Sequence, residues 1–281
     1  MATSEPNDLP ALAARHPARE LATAGGVVSF RESGQGTPVV VLLHGIGSGS
    51  GSWVRQLDAL ASQARVLAWD APGYGRSAAL PAPEPRAEDY GARVWQWLDA
   101  VGLGDERVVL VGHSLGALMA SAATRLAPSR VRQLVLLSPA QGYGQAEAEV
   151  REAKRQDRLN NLHTLGPAGM ADKRGAAMLS ASASPQMVAY VKSIMAQVHP
   201  GGYEQATHML AGAHLAGLLQ GLPCPGLVAC GDADGITTAA ASRALAERAG
   251  LPYASLGPVG HACAIEAAEA VNRLIAERVR A

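Results

Sequence analysis

Residues 111–117 read Val-Gly-His-Ser-Leu-Gly-Ala, and the Gly112-x-Ser114-x-Gly116 core stands between the apolar run Arg107-Val-Val-Leu-Val111 and an Ala/Leu/Met-rich stretch through Leu126. A strand, a Gly-flanked Ser and a helix in that order form a nucleophile elbow. A Ser at the tip of so sharp a turn needs glycines two positions to either side, because a Cβ there would meet the neighbouring strand or helix. The pentapeptide therefore requires a fold in which a strand feeds directly into a helix, and it makes Ser114 a candidate nucleophile.

An elbow is useful only with a base, an orienting carboxylate and an oxyanion site, which follow in the chain order Ser, Asp or Glu, His. Pro225-Gly-Leu-Val-Ala-Cys230 is an apolar segment that ends in Gly231-Asp232-Ala233-Asp234-Gly235, a carboxylate-bearing loop at the end of an expected strand. Asp232 and Asp234 both compete for the orienting role, since positions two apart on an extended backbone share a face. Pro252-Tyr-Ala-Ser-Leu256 leads to Gly257-Pro-Val-Gly260-His261, placing a histidine in a Gly/Pro loop after a short strand. Upstream, Pro38-Val-Val-Val-Leu-Leu43 runs into His44-Gly45-Ile46-Gly47, a loop able to donate a backbone N–H to an oxyanion, with a second donor from Leu115.

Five blocks occur in order: His44-Gly45 followed by Trp53, Asp70-Ala-Pro-Gly-Tyr-Gly-Arg-Ser77, the Ser114 elbow, Gly231-x-x-Asp234, and Gly260-His261 before the last helix. On these blocks the chain resembles the α/β-hydrolase superfamily. The resemblance implies an α/β fold with a mostly parallel, doubly wound sheet and an inserted helical cap. Carried over by position, it implies Ser114 as nucleophile, Asp234 rather than Asp232 as orienter, His261 as base, and Ile46 and Leu115 as oxyanion donors. It also implies a capped serine hydrolase of a small carboxylic ester or lactone, acting through an acyl-enzyme without metal or organic cofactor. Carbon–carbon bond hydrolases of ring-fission products share this frame, although many carry Asn and an aromatic residue where His113 and Ala262 stand. Small-molecule receptors on the same fold form the second alternative.

The chain's 281 residues, 48% of them hydrophobic, suit one catalytic domain with an insertion. The expected division is an N-terminal extension over 1–26, a core over 27–139 and 223–281, and a cap over 140–222, where no strand is expected and loop signals stand at Gly166-Pro167, Ser184-Pro185 and Pro200-Gly201-Gly202. Twenty-four basic residues balance 24 acidic ones, which gives no electrostatic case for nucleic acid or an anionic membrane. Neither a signal-peptide pattern nor a membrane-length apolar run is visible, and Cys224, Cys230 and Cys263 lack zinc spacing, so a cytoplasmic setting is expected.

Other features read more plainly. His44 supports the oxyanion loop, and His113 is expected to point away from Ser114. The cap histidines His163, His199, His208 and His214 are expected at the surface or lining the pocket, and the methionines Met170, Met178, Met187, Met195 and Met209 to pack the cap. Arg151, Lys154, Arg155 and Arg158, interleaved with acids, read as a solvated helix face, with a carboxylate-binding patch as the alternative. A dinucleotide-binding reading of Gly45, Gly47, Gly49 and Gly51 fails because position 50 is Ser and G-x-G-x-x-G is not met.

Overall fold

A computed structural model describes residues 8–280. In chain order the helices are α1 (Leu9–Arg15), α2 (Val54–Leu60), α3 (Ala87–Ala100), α4 (Leu115–Leu126), α5 (Ala148–Arg174), α6 (Pro185–Met195), α7 (Pro200–Gly212), α8 (Leu215–Leu219), α9 (Ala239–Ala249), α10 (Cys263–Glu266) and α11 (Ala268–Arg280). The strands are β1 (Arg19–Thr23), β2 (Gly26–Ser33), β3 (Val39–Leu43), β4 (Arg65–Trp69), β5 (Val108–His113), β6 (Val131–Leu137), β7 (Gly226–Cys230) and β8 (Tyr253–Ser255).

The strands form one eight-stranded sheet in the order β1-β2-β4-β3-β5-β6-β7-β8. β1 and β2 are antiparallel, β2 pairs antiparallel with β4, and every pairing from β4 to β8 is parallel. The unbroken apolar run of β3 follows from burial on both faces: Val39, Val41 and Leu43 pack into one core and Val40 and Leu42 into the other. The first core lies under α3, α4, α8 and α9, the second under α2, α10 and α11. The expected doubly wound, mostly parallel sheet is the sheet observed.

Part of the expected N-terminal extension joins the sheet. Residues 8–26 supply α1, which packs on α2 and α6, and the edge strand β1, in register with β2 from Arg19↔Phe30 to Thr23↔Gly26. Being an edge strand, β1 carries mostly exposed residues, so Arg-Glu-Leu-Ala-Thr lacks the apolar signature of an inner strand. Residues 1–7 of the expected extension lie outside the described residues.

Between β6 and β7 the described chain is helical and without strands, from α5 to α8. The three expected loop signals act as helix punctuation. Gly166, at φ 62°, breaks α5 before Pro167, while Pro185 and Pro200 occupy the first turns of α6 and α7, with Ser184 capping α6 through the Met187 N–H. α7 is pinned to the segment before α3 by Gln205, whose amide accepts from Leu80 N at 3.2 Å and donates to the carbonyls of Leu80 and Ala82, each at 2.8 Å. α8 packs instead on α4 and α9, through buried Leu215 and Leu219. No helix among the described residues is long and apolar enough to cross a membrane.

Candidate active site

His44 follows β3, Asp70 follows β4, Ser114 follows β5, Asp234 lies beyond β7 and His261 beyond β8, so the loops at the carboxyl ends of five parallel strands converge on one edge of the sheet. Ser114 sits at φ 53° and ψ −116°, a left-handed conformation rare for a side-chain-bearing residue. The flanking glycines make the turn possible. A Cβ on Gly112 would stand 2.3 Å from the Gly116 carbonyl oxygen, and one on Gly116 would stand 2.2 Å from the Leu43 carbonyl oxygen.

Ser114, His113 and His261 line one cavity of about 300 Å³, and Ser114, Asp234 and His261 are all buried, at 6%, 4% and 5% exposure. His261 Nδ1 lies 2.9 Å from Asp234 Oδ2, which fixes the ring with its Nδ1–H on the carboxylate. Asp234 Oδ1 accepts from the Ile236 and Thr237 amides at 2.8 and 2.9 Å. Burial pushes the Asp234 carboxyl up, but the hydrogen bond and charge of His261 and these amides outweigh it and hold the group below the usual carboxylate range. Among the described residues no hydrogen bond joins Ser114 Oγ to the His261 ring. A serine–histidine contact of this kind often tightens only when substrate is bound.

The two competing carboxylates are separated by the turn that ends β7. Asp234 N donates to the Gly231 carbonyl at 3.2 Å, so the backbone is no longer extended there and the two side chains diverge. Asp232 is exposed and accepts from Ser255 Oγ at 2.8 Å.

The His44–Gly47 loop lies against the elbow. A Cβ on Gly45 would come within 3.0 Å of Ser114 Cβ and 3.4 Å of its Oγ, so the backbone just before Ile46 passes close to the Ser114 side chain. Within the described chain neither Ile46 N–H nor Leu115 N–H has an acceptor. The loop is held by groups from the Asp70–Ser77 block. Ala71 N–H donates to His44 Nε2 at 3.0 Å, so the His44 proton resides on Nδ1 and is donated to the Gly45 carbonyl at 2.8 Å. Burial lowers the His44 pKa, in keeping with a neutral ring. Tyr74 Oη donates to the Ile46 carbonyl at 2.6 Å. Asp70 holds the loop from below, accepting from Ser50 N and Ser29 Oγ at 2.7 Å each.

Several participants had no signal in a single sequence. Thr237 Oγ1 stands 2.9 Å from Asp234 Oδ2 and 3.1 Å from His261 Nδ1. Glu266 accepts from Gly260 N at 2.9 Å and from Ser180 N at 3.0 Å, tying the loop of His261 to the segment between α5 and α6. Gly260 is required there because a Cβ would meet the Leu179 backbone at 2.5 Å. Of the cap methionines, Met178 and Met195 line the cavity, whereas none of the four cap histidines does. His163 instead pairs with Glu204 at 2.7 Å and His208 with Glu84 at 3.4 Å, both at the surface side of the cap.

The profile of the Alpha/beta hydrolase family matches residues 40–274. The chain belongs to the α/β-hydrolase family. An esterase from Thermogutta terrifontis superposes with a TM-score of 0.83 at 24% identity, over 94% of this chain and 98% of that one. The enol-lactonase of Burkholderia xenovorans superposes with a TM-score of 0.82, also at 24% identity, over 94% and 100% of the two chains. At that identity both likenesses speak for the fold. In sequence, the chain is 38% identical over 120 residues to the 2-hydroxy-6-oxononadienedioate/2-hydroxy-6-oxononatrienedioate hydrolase of Paraburkholderia phymatum, covering 41% of each chain. This α/β-hydrolase thus spans less than half the length of the first curated relatives it matches.

Proposed function

We propose that this α/β-hydrolase is a cofactor-independent serine hydrolase that cleaves a small carboxylic ester or lactone through an acyl-enzyme. The observation that carries the reading is the pairing of a strained, cavity-facing Ser114 with a His261 ring anchored at Nδ1 by buried Asp234, at 2.9 Å.

In this reading Ser114 Oγ attacks the substrate carbonyl carbon while His261 Nε2 takes the hydroxyl proton, and Asp234 stabilises the imidazolium that forms. The carbonyl oxygen becomes an oxyanion held by the Ile46 and Leu115 amides, each such donor typically being worth about 10²–10³ in turnover. Collapse breaks the bond to the alcohol oxygen, which leaves with the proton from His261. Water then attacks the acyl-Ser114 ester, giving its proton to His261, and Ser114 recovers that proton as the acid departs. Residues 140–222 serve in this scheme as a lid whose Met178 and Met195 shape the acyl site. Steady turnover of p-nitrophenyl esters or lactones, abolished by Ser114→Ala, is the test; a single burst without turnover would instead indicate a receptor.

The local identity to the Paraburkholderia hydrolase favours carbon–carbon cleavage as a second reading. Hydrolysis of a 2-hydroxy-6-oxo-dienoate at a rate above that of any ester would select it.

A further inference from the structure

The cavity that holds Ser114 and His261 is walled mainly by apolar groups, among them Val191, Ile194 and Leu210, yet two guanidinium side chains, Arg158 and Arg174, also line it, and no carboxylate does. Both arginines are half-buried. Among the described residues neither forms a hydrogen bond or an ion pair with an acidic group, while three of the four acids of the same helix, all but Glu149, are engaged elsewhere. Glu152 pairs with Arg155, Asp157 accepts from Asn161 Nδ2 at 3.2 Å, and Asp172 pairs with Lys192 at 3.2 Å. Two partly desolvated cations facing an apolar cavity without a counter-charge are unfavourable unless an anion completes the site.

The break in α5 explains how both reach one cavity. Residues 158 and 174 on an unbroken helix would lie about 24 Å apart along its axis, more than a cavity of about 300 Å³ spans. Gly166, at φ 62°, and Pro167 interrupt the helix between them, so the two arginines stand on separate halves of a kinked helix.

We propose that Arg158 and Arg174 bind a carboxylate on the substrate, so that the ester or lactone cleaved at Ser114 belongs to a half-ester of a dicarboxylic acid or an equivalent carboxylated acyl compound. This proposal rests on the hydrolase reading above and narrows it to a substrate class. The planar guanidinium fork matches a carboxylate in geometry as well as charge, and the apolar wall between the arginines and Ser114 suits a short methylene chain joining the two ends. The run around Arg158 that reads from sequence as a solvated face is therefore divided, with Arg155 paired on the outside and Arg158 turned to the cavity.

The experiment compares two esters of equal carbon-chain length, mono-p-nitrophenyl adipate and p-nitrophenyl hexanoate, which differ only in a terminal carboxylate against a methyl. The wild type is expected to favour the adipate ester at least tenfold in kcat/KM through a lower KM. Arg158→Met together with Arg174→Met is expected to reduce that preference at least tenfold, whereas the Arg→Lys pair keeps most of it. In parallel, calorimetry with adipate against the neutral hexanamide reads the site without turnover, and adipate is expected to bind at least tenfold tighter to the wild type but not to the Met pair. A wild type that prefers the hexanoate ester, or a preference and an adipate affinity unaltered in the double Met variant, overturns the proposal. Turnover of neither ester removes the hydrolase reading alone, because the adipate affinity then decides the role of the arginines by itself.

Discussion

His113 Nε2 lies 2.7 Å from the carbonyl oxygen of His261, and the two rings stand 4.8 Å apart between centroids. The residue that precedes the nucleophile is thus tethered to the backbone of the candidate base, linking two loops that are 148 positions apart in sequence. Because a carbonyl can only accept, His113 Nε2 carries a proton. Burial first, and the His261 charge second, push its pKa down to about 3.

That depressed value sets a pH dependence of stability. As pH falls below the ordinary His value of 6.5, the unfolded chain binds a proton that the folded ring refuses until about pH 3, so this contribution is full above 6.5 and declines toward 3. The limiting slope is about 1.4 kcal/mol per pH unit. Urea unfolding at pH 7 and pH 5 is expected to show a smaller loss of stability for His113→Asn than for the wild type, by about 2 kcal/mol. Equal losses would show that His113 is protonated in the folded state.

Substitution of the two acids separates their roles. Asp234→Asn should lower kcat by about 10⁴, as the orienting carboxylate is lost from the histidine. Asp232→Asn, at an exposed position bonded to Ser255, should change kcat less than about twofold. Steady-state assays on any accepted ester read the contrast, and the reverse order would move the orienting role to Asp232.

Much of the site can be read from the sequence because each element carries its own local cause. Gly112 and Gly116 are dictated by contacts of 2.3 and 2.2 Å that allow no side chain, and β3 is apolar because it is covered on both faces. Asp232 and Asp234 are parted by a turn, which two-residue alternation does not capture. Glu266, Thr237 and Arg174 are illegible for a different reason. Their partners are Gly260 and Ser180, Asp234 and His261, and the cavity wall, and these meet only when the sheet closes and α5 bends. β1 is missed because an edge strand buries too little to require an apolar run.

The glycines of the elbow give a prediction on folding. Gly116→Ala puts a methyl 2.2 Å from the Leu43 carbonyl, a backbone atom of a central strand that cannot retreat cheaply. A loss of about 3 kcal/mol in unfolding free energy is expected. Gly102→Ser, at an exposed turn where a Cβ meets nothing within 4 Å but φ is +84°, should cost only about 1 kcal/mol from conformational strain. Chemical denaturation of both variants tests the difference, and similar losses would mean that the elbow relaxes freely.

Thr237 offers a finer probe of the acid–histidine pair. Its hydroxyl can donate to Asp234 Oδ2 or to the Ser138 carbonyl, each at 2.9 Å. Thr237→Val removes that donor at nearly constant volume and should lower kcat about tenfold, equivalent to one hydrogen bond, with KM little altered. A full loss of activity, or a change confined to KM, would place Thr237 in substrate binding instead.

In the proposed reaction Ser114 carries the acyl group during turnover. Wild-type protein mixed with excess p-nitrophenyl ester and quenched in acid within the first turnovers should gain the mass of one acyl group, and peptide mapping should place it on Ser114. Ser114→Ala, folded as judged by circular dichroism, should gain no mass and release no p-nitrophenol above the uncatalysed rate. An acyl group on any other residue, or turnover that survives in Ser114→Ala, would contradict the account.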